Sequence, residues 1–180
     1  MKPIEIIQKY YDKRSRCYNI LIKHSELVTK KSLNVAKKIK HLNPDLKFIK
    51  EAAMLHDIGI FMTNAPEIDC HGDEPYVCHG YLGREILEKE GLPKHALVCE
   101  RHIGAGIKKE DIIKRKLSLP KRNMVPISIE EKIICFADKF FSKNNEYMGK
   151  EKSIEHIKEQ LSAYGKESVK RFEKLLELFS

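Results

Sequence analysis

Apolar and small residues recur at Cys17, Ile20, Leu21, Leu27, Val28, Val35, Ala36 and Ile39, with His24 in the same register. Intervals of three and four put these positions on one helix face, so the pattern predicts a long helix turned toward a core with a histidine in its buried stripe. The next segment, NPDLKFIKEAAMLHDIG, offers Asn43 as N-cap, Pro44 at the first helical position and Gly59 as a stop signal. Its inward positions Ile49, Ala52, Ala53 and His56 again end on histidine. Further helices are predicted for CHGYLGREILEKEG, closed by Gly91, and for LPKHALVCERHIG, opened by Pro93 and closed by Gly104. In SIEEKIICFADKFFSK, Ser128 and Glu131 form a candidate capping box. Two amphipathic stretches follow at about 151–163 and 166–179, the second carrying Val169, Phe172, Leu175, Leu176 and Phe179 on one face as cover for a core. No run alternates with period two between hairpin turns, so the expected fold class is all-α, a helical bundle.

Composition narrows the picture. With 180 residues, 42% hydrophobic and 33% charged, the chain is expected to form one domain over 1–180. The core would span about 17–142, with the helices of about 151–179 packed on it. Global disorder and collagen-like structure are excluded. No apolar run reaches the ~20 residues of a membrane-spanning helix, and the opening MKPIEIIQKYYDKR lacks an export stretch. Five cysteines, an odd number, fit reduced thiols, so a soluble cytoplasmic protein without a membrane partner is expected. Lys and Arg outnumber Asp and Glu by 34 to 26, a formal charge of +8 that attracts anions without choosing among them. Trp is absent and Tyr and Phe are scattered, so no motif supports nucleic acid, although the charge leaves it open as a partner. No pattern encodes an oligomeric state.

The chemistry lies in the polar residues on the inward stripes. His24, His56 and Asp138, the last between Ile134 and Phe141 at helical spacing, stand where core side chains belong. Burying them unpaired is costly, whereas imidazoles and carboxylates converging from several helices satisfy one another around a shared divalent cation. Asp57 adjoins His56. Neighbours on a helix diverge by about 100°, so both serve one site only beside a helix end, which Gly59 is expected to supply.

In order, His24, the pair His56 and Asp57 in LHDIG, and Asp138 in FADKF resemble the H…HD…D signature of the HD-domain metal-dependent phosphohydrolases. The resemblance covers about Cys17 to Ser142. CHGYLGREILEKEGLPKHALVCERHIGAGI and EEKIICFADKF look most like an uncharacterised HDIG branch of archaea and bacteria, which brings no established substrate. The resemblance implies an HD-domain helical bundle with a metal site in its core. Two-metal members have two more histidines between the HD pair and the last Asp, and His79 and His102 stand in those places. A first metal would take His24, His56, Asp57 and Asp138, and a second Asp57, His79 and His102. One or two ions of Fe, Mn, Ni, Co or Zn suit such ligands better than Mg. Asp57 and Asp138 would also act catalytically, holding or orienting the attacking water.

Where many relatives read HDIGK, this chain has Ile60, so a lysine that commonly meets substrate phosphate is missing. Arg101 and Lys139, beside His102 and Asp138, are the candidate substrate-binding cations. Arg101 also stands where the cyclic-dinucleotide phosphodiesterases have the first of a histidine pair, which disfavours that substrate. The expected function is hydrolysis of a nucleotide-like or other small phosphorylated anion by metal-activated water. The same four histidines and two aspartates occur in di-iron oxygenases of the superfamily, and a nucleotide-sensing module without turnover is a third reading.

IFMTNAPEIDCHGDEPYVCHG, from Ile60 to Gly80, is expected to form a loop over the site, with Asp69, Asp73 or Glu74 available as a pocket acid. Cys70, His71, Cys78 and His79 lack the C-x2-C spacing of structural zinc sites. His41, His95 and His156 are read as solvated, and Gly104, Ala105 and Gly106 as a tight turn.

Overall fold

A computed structural model describes residues 1–144 and 149–179. Its helices are α1 (Pro3–Tyr10), α2 (Arg16–Lys38), α3 (Leu46–Leu55), α4 (His79–Lys89), α5 (Pro93–Arg101), α6 (Lys109–Lys114), α7 (Ile129–Asp138), α8 (Ile154–Ser162) and α9 (Lys166–Phe179). The fold is mostly helical, as the spacing implied. The exception is a pair of two-residue antiparallel strands, β1 (Asn64–Ala65) and β2 (Cys70–His71), inside the segment expected to be a loop. Among the described residues, no helix is long and apolar enough to cross a membrane. Helices α1 and α6 went unread, the first because its eight residues carry only a short apolar pattern.

α2 is the spine and packs against α3 and α7. Its buried stripe joins two apolar clusters: Cys17, Ile20 and Leu21 belong to one with α1 and parts of α4 and α5, while Val28, Val35 and Ala36 belong to another with α7, α8 and α9. α3 behaves alike, with Ile49, Ala52 and Ala53 in the second cluster and Leu55, followed by Ile58 in the turn beyond it, in the first. His24 on α2 and the His56–Asp57 pair after α3 therefore sit at the seam between the two clusters. The C-terminal stripe is core cover, as expected: Phe172 and Phe179 pack on Phe136 of α7 at ring-centre distances of 5.7 and 5.2 Å.

Two expected helix ends differ. α3 is capped by Asp45, whose side chain accepts from the Phe48 amide at 2.9 Å, rather than by Asn43. Asn43 has φ 50°, closing the preceding turn, and cannot offer the extended backbone that a cap requires. Ser128 does cap α7, but Glu131 does not reach back to it. The Glu131 carboxylate accepts instead from the Ile127 amide and from Arg101. Gly104, Ala105 and Gly106 form the expected turn, with φ 59° and 86° at its glycines, and Arg171 of α9 donates to the carbonyls of Ala105 and Gly106.

Candidate metal centre

The six residues singled out from the sequence come together at helix ends. His24 projects from mid α2, His56 and Asp57 lie in the turn just past α3, His79 opens α4, His102 follows α5, and Asp138 is the last residue of α7. All six are buried. Their donor atoms form two groups in which the atoms lie within 4.8 Å of one another: His24, His56, Asp57 and Asp138, and then Asp57, His79 and His102. Asp57 is common to both. One of its oxygens is 3.2 and 3.1 Å from the Nε2 atoms of His24 and His56, and the other is 3.2 and 3.3 Å from those of His79 and His102. Each oxygen thus faces one of the two groups.

Second interactions aim the imidazoles. The Nδ1–H groups of His56, His79 and His102 donate to the carbonyls of Ala53, Tyr76 and Cys99, each three residues back, at 2.7, 2.5 and 2.7 Å. With Nδ1 so engaged, each Nε2 faces the centre, where it offers a lone pair to a metal once it carries no proton. The Nε2 atoms of His79 and His102 then stand 3.2 Å apart with lone pairs opposed. Neither Asp57 oxygen nor His56 Nε2 has a hydrogen bond of acceptable geometry among the described residues. Such convergence of lone pairs is costly without a shared cation, and it fits the N- and O-donor set of a divalent transition metal. The C-terminal ends of α3, α5 and α7 also converge here, adding negative potential that favours a cation.

Electrostatics agrees. Burial opposes ionisation of Asp57, but the charges of His56 and Lys143 and the close imidazoles of His102 and His24 hold its carboxyl well below the usual range. Asp138 is likewise held down against burial, chiefly by Lys139 and His24. Burial lowers the basicity of His56, yet Asp57 and Asp138 overcome it and raise its pKa to about 9. Burial, aided by His56, drops His102 to about 4. His56 thus carries a proton in the metal-free protein at neutral pH and must lose it to ligate. Metal uptake at pH 7 is therefore expected to release about one proton, with affinity rising as pH increases toward 9. Calorimetry in buffers of different ionisation enthalpy measures that proton, and an affinity independent of pH between 6 and 9 would contradict it. In the metal-free fold the signs are opposite. The raised His56 pKa contributes stability below pH about 6.5 that is lost as pH rises through about 9, while neutral burial of His102 weakens the fold as pH falls from about 6.5 toward 4.

Two histidines distinguish the halves of the centre. His79→Ala or His102→Ala is expected to lower metal content by one equivalent and leave the first group and the helicity in place. Elemental analysis with circular dichroism tests this, and undiminished metal in both variants would show that the second group holds none.

Other expected positions differ. Arg101 Nη1 is 3.0 Å from both oxygens of Glu131, and Arg101 is not among the residues lining the cavity beside the centre, because the last turn of α5 points it at α7. Lys139 does line that cavity, its ammonium 2.6 Å from Asp138 Oδ2 and 3.0 Å from the His102 carbonyl. Lys143, unnoticed in the sequence, lies 2.6 Å from Asp57 Oδ2, with its side chain only 12% exposed. Five residues past Asp138 and beyond the helix, it gives no periodic signal. From the loop after Gly59, Glu67, Ile68 and Tyr76 face the cavity; Asp69, Asp73 and Glu74 do not. Cys70 meets Cys17, with sulfurs 2.9 Å apart, rather than His71. His95 is buried against Phe48 and near Glu51, not solvated.

A helical bundle with a two-part His/Asp metal centre at the seam of its core defines a class of metalloproteins. The HD domain family model matches residues 21–142, and the chain belongs to that family. It is 38% identical to an uncharacterised protein of Methanocaldococcus jannaschii over 128 residues, 69% of this chain and 68% of that protein. It is also similar to the tRNA (cytidine(56)-2'-O)-methyltransferases of Thermoplasma volcanium, 35% identical over 123 residues, and Picrophilus torridus, 37% over 125 residues. These alignments take in 68% and 69% of this chain but only 32% of each methyltransferase. No solved structure matches significantly.

Proposed function

We propose that this chain is a metal-dependent phosphohydrolase acting on a small phosphorylated substrate of nucleotide-like size. The observation that carries the reading is the placement of two lysine ammoniums, Lys139 and Lys143, against the ligand carboxylates of Asp138 and Asp57 at the edge of the cavity. Divalent ions held by the two ligand groups would lower the pKa of water and offset charge on phosphoryl oxygens. An ammonium has three donors, and the Asp138 and His102 contacts of Lys139 leave one for an anion in the cavity. Lys143, approaching from the opposite end of the motif, supplies the cation missing after Gly59. A phosphoryl group at this edge meets both, and Asp57 and Asp138 would hold or orient the attacking water. The basic edge supports an anionic substrate.

The test is a panel of phosphomonoesters and phosphodiesters, with cytidine nucleotides included because two relatives act on a tRNA cytidine, run over Mn, Fe, Co, Ni and Zn. At least one ester is expected to release its phosphate or alcohol. Lys143→Ala is expected to lower kcat/KM for it on the order of 10²-fold. Fully metal-loaded protein that cleaves nothing overturns the proposal, and substrate-dependent oxygen uptake by the iron form replaces it with oxygenase chemistry.

A further inference from the structure

The cavity beside the metal centre, about 540 Å³, is far larger than one phosphoryl group and within the range of sites for whole small molecules. His79, His102 and Asp138 form one side. The other is built by residues beyond the HD match, which ends at residue 142: Lys152, Gln160 and Tyr164 with the apolar Ile157 and Leu161. Three lysines thus face one space, and they are not equivalent. Lys139 and Lys143 each face a ligand carboxylate at 2.6 Å. Lys152 is half-buried, and its ammonium donates to a neutral acceptor, the Gln160 side-chain carbonyl, at 2.9 Å. Among the described residues no carboxylate forms an ion pair with it. Burial, with repulsion from Lys139 and Lys143, lowers its pKa against the attraction of Asp138. Asp138 and Glu67 are the described carboxylates lining this space, and an ammonium that makes an ion pair with neither is set to receive an anion from a ligand.

Resting on the phosphohydrolase reading, we propose that the substrate carries a second anionic group, phosphate or carboxylate, and that Lys152, positioned by Gln160, binds it while the reacting phosphoryl group lies at Lys139 and Lys143. Charge supports this division. Lys139 and Lys143 each already face a ligand carboxylate, whereas no described carboxylate pairs with Lys152. The wall of Ile157, Leu161 and Tyr164 then accepts the less polar body joining the two anions.

Binding to the metal-containing protein tests it, using α,ω-alkanediol bisphosphates of two to five carbons, the phosphoalkanoates of matching length and the corresponding alkyl monophosphates. One spacer length is expected to bind at least tenfold more tightly than its monophosphate, and whether phosphate or carboxylate gains more identifies the second group. Lys152→Gln is expected to erase that gain while changing monophosphate affinity by less than twofold, and Lys152→Arg to restore it. Lys158→Gln removes a charge from α8, at a partly exposed pair with Glu173, and serves as the control, keeping the gain. No gain at any length, or equal weakening of mono- and bis-anions by Lys152→Gln, overturns the proposal. A gain lost with Lys152 in a protein that hydrolyses no ester leaves this subsite standing and defeats the phosphohydrolase reading instead. Hydrolysis without any gain does the reverse.

Discussion

Asp57→Ala is expected to empty both halves of the metal centre and to abolish turnover, a fall on the order of 10³-fold or more. The reason is its sharing. Each of its two oxygens faces two imidazole nitrogens at 3.1 to 3.3 Å, so the substitution takes a ligand from both groups at once. It also removes a negative charge from a buried set otherwise made of four histidines and Asp138, with Lys143 left facing them. Metal affinity would then have to overcome cation repulsion in a buried site. Elemental analysis of purified variant and wild type decides the matter. A variant keeping one full equivalent would show that Asp57 serves one ion and does not bridge.

Gly59→Ala is expected to be a severely damaging change for a single methyl group. A Cβ at residue 59 would lie 2.4 Å from the His79 carbonyl oxygen and 2.5 Å from the Gly83 amide nitrogen, against the 3.5–4.0 Å of a normal contact. Both atoms are backbone of α4, so no side-chain rotation relieves the overlap and the helix must move. The cost is about 3 kcal/mol or more, a drop of roughly 6–12 °C in Tm. Because α4 begins at His79, the same displacement is expected to release the second metal. Gly91 provides the comparison: its φ is 74° and nothing lies within 4 Å of an added Cβ, so Gly91→Ala costs only backbone strain, about 1–2 kcal/mol, without loss of metal. Thermal unfolding and metal analysis of both variants check the contrast, and equal effects would contradict it.

Gly59 shows how a correct selection can carry a wrong reason. Read along the chain it is a helix stop, yet α3 ends at Leu55 and Gly59 has an ordinary φ of −85°. It is needed because α4 crosses within contact of its Cα, a requirement set by an element twenty residues away. The turn it belongs to is further held by the buried Tyr11 hydroxyl, which donates to the Ile58 carbonyl at 2.7 Å. Neither neighbour leaves a mark in the local pattern.

The ligands were legible for the opposite reason. His24 and Asp138 interrupt apolar stripes whose spacing is set by the helix itself, so a buried polar residue announces itself by breaking a period. His56, Asp57, His79 and His102 stand at helix ends, where Pro, Gly and capping residues mark positions in the sequence. By contrast, His95 looks solvated in its polar stretch but is covered by Phe48 from another helix. Arg101 adjoins a ligand in sequence, yet neighbours at a helix end point in different directions, and Glu131 of α7 receives it.

What the chain determines by itself is therefore the order of the main helices and their inward faces with His24, His56 and Asp138, because those depend on interactions repeating every three or four residues. Asp57, His79 and His102 were legible through the HD pair and the resemblance it carries. Which cations line the cavity was decided only by the tertiary structure. Lys143 and Lys152 lie on irregular backbone after α7, where no period fixes a side chain's direction. Their positions follow from how the chain leaves one helix and docks the next over the metal centre.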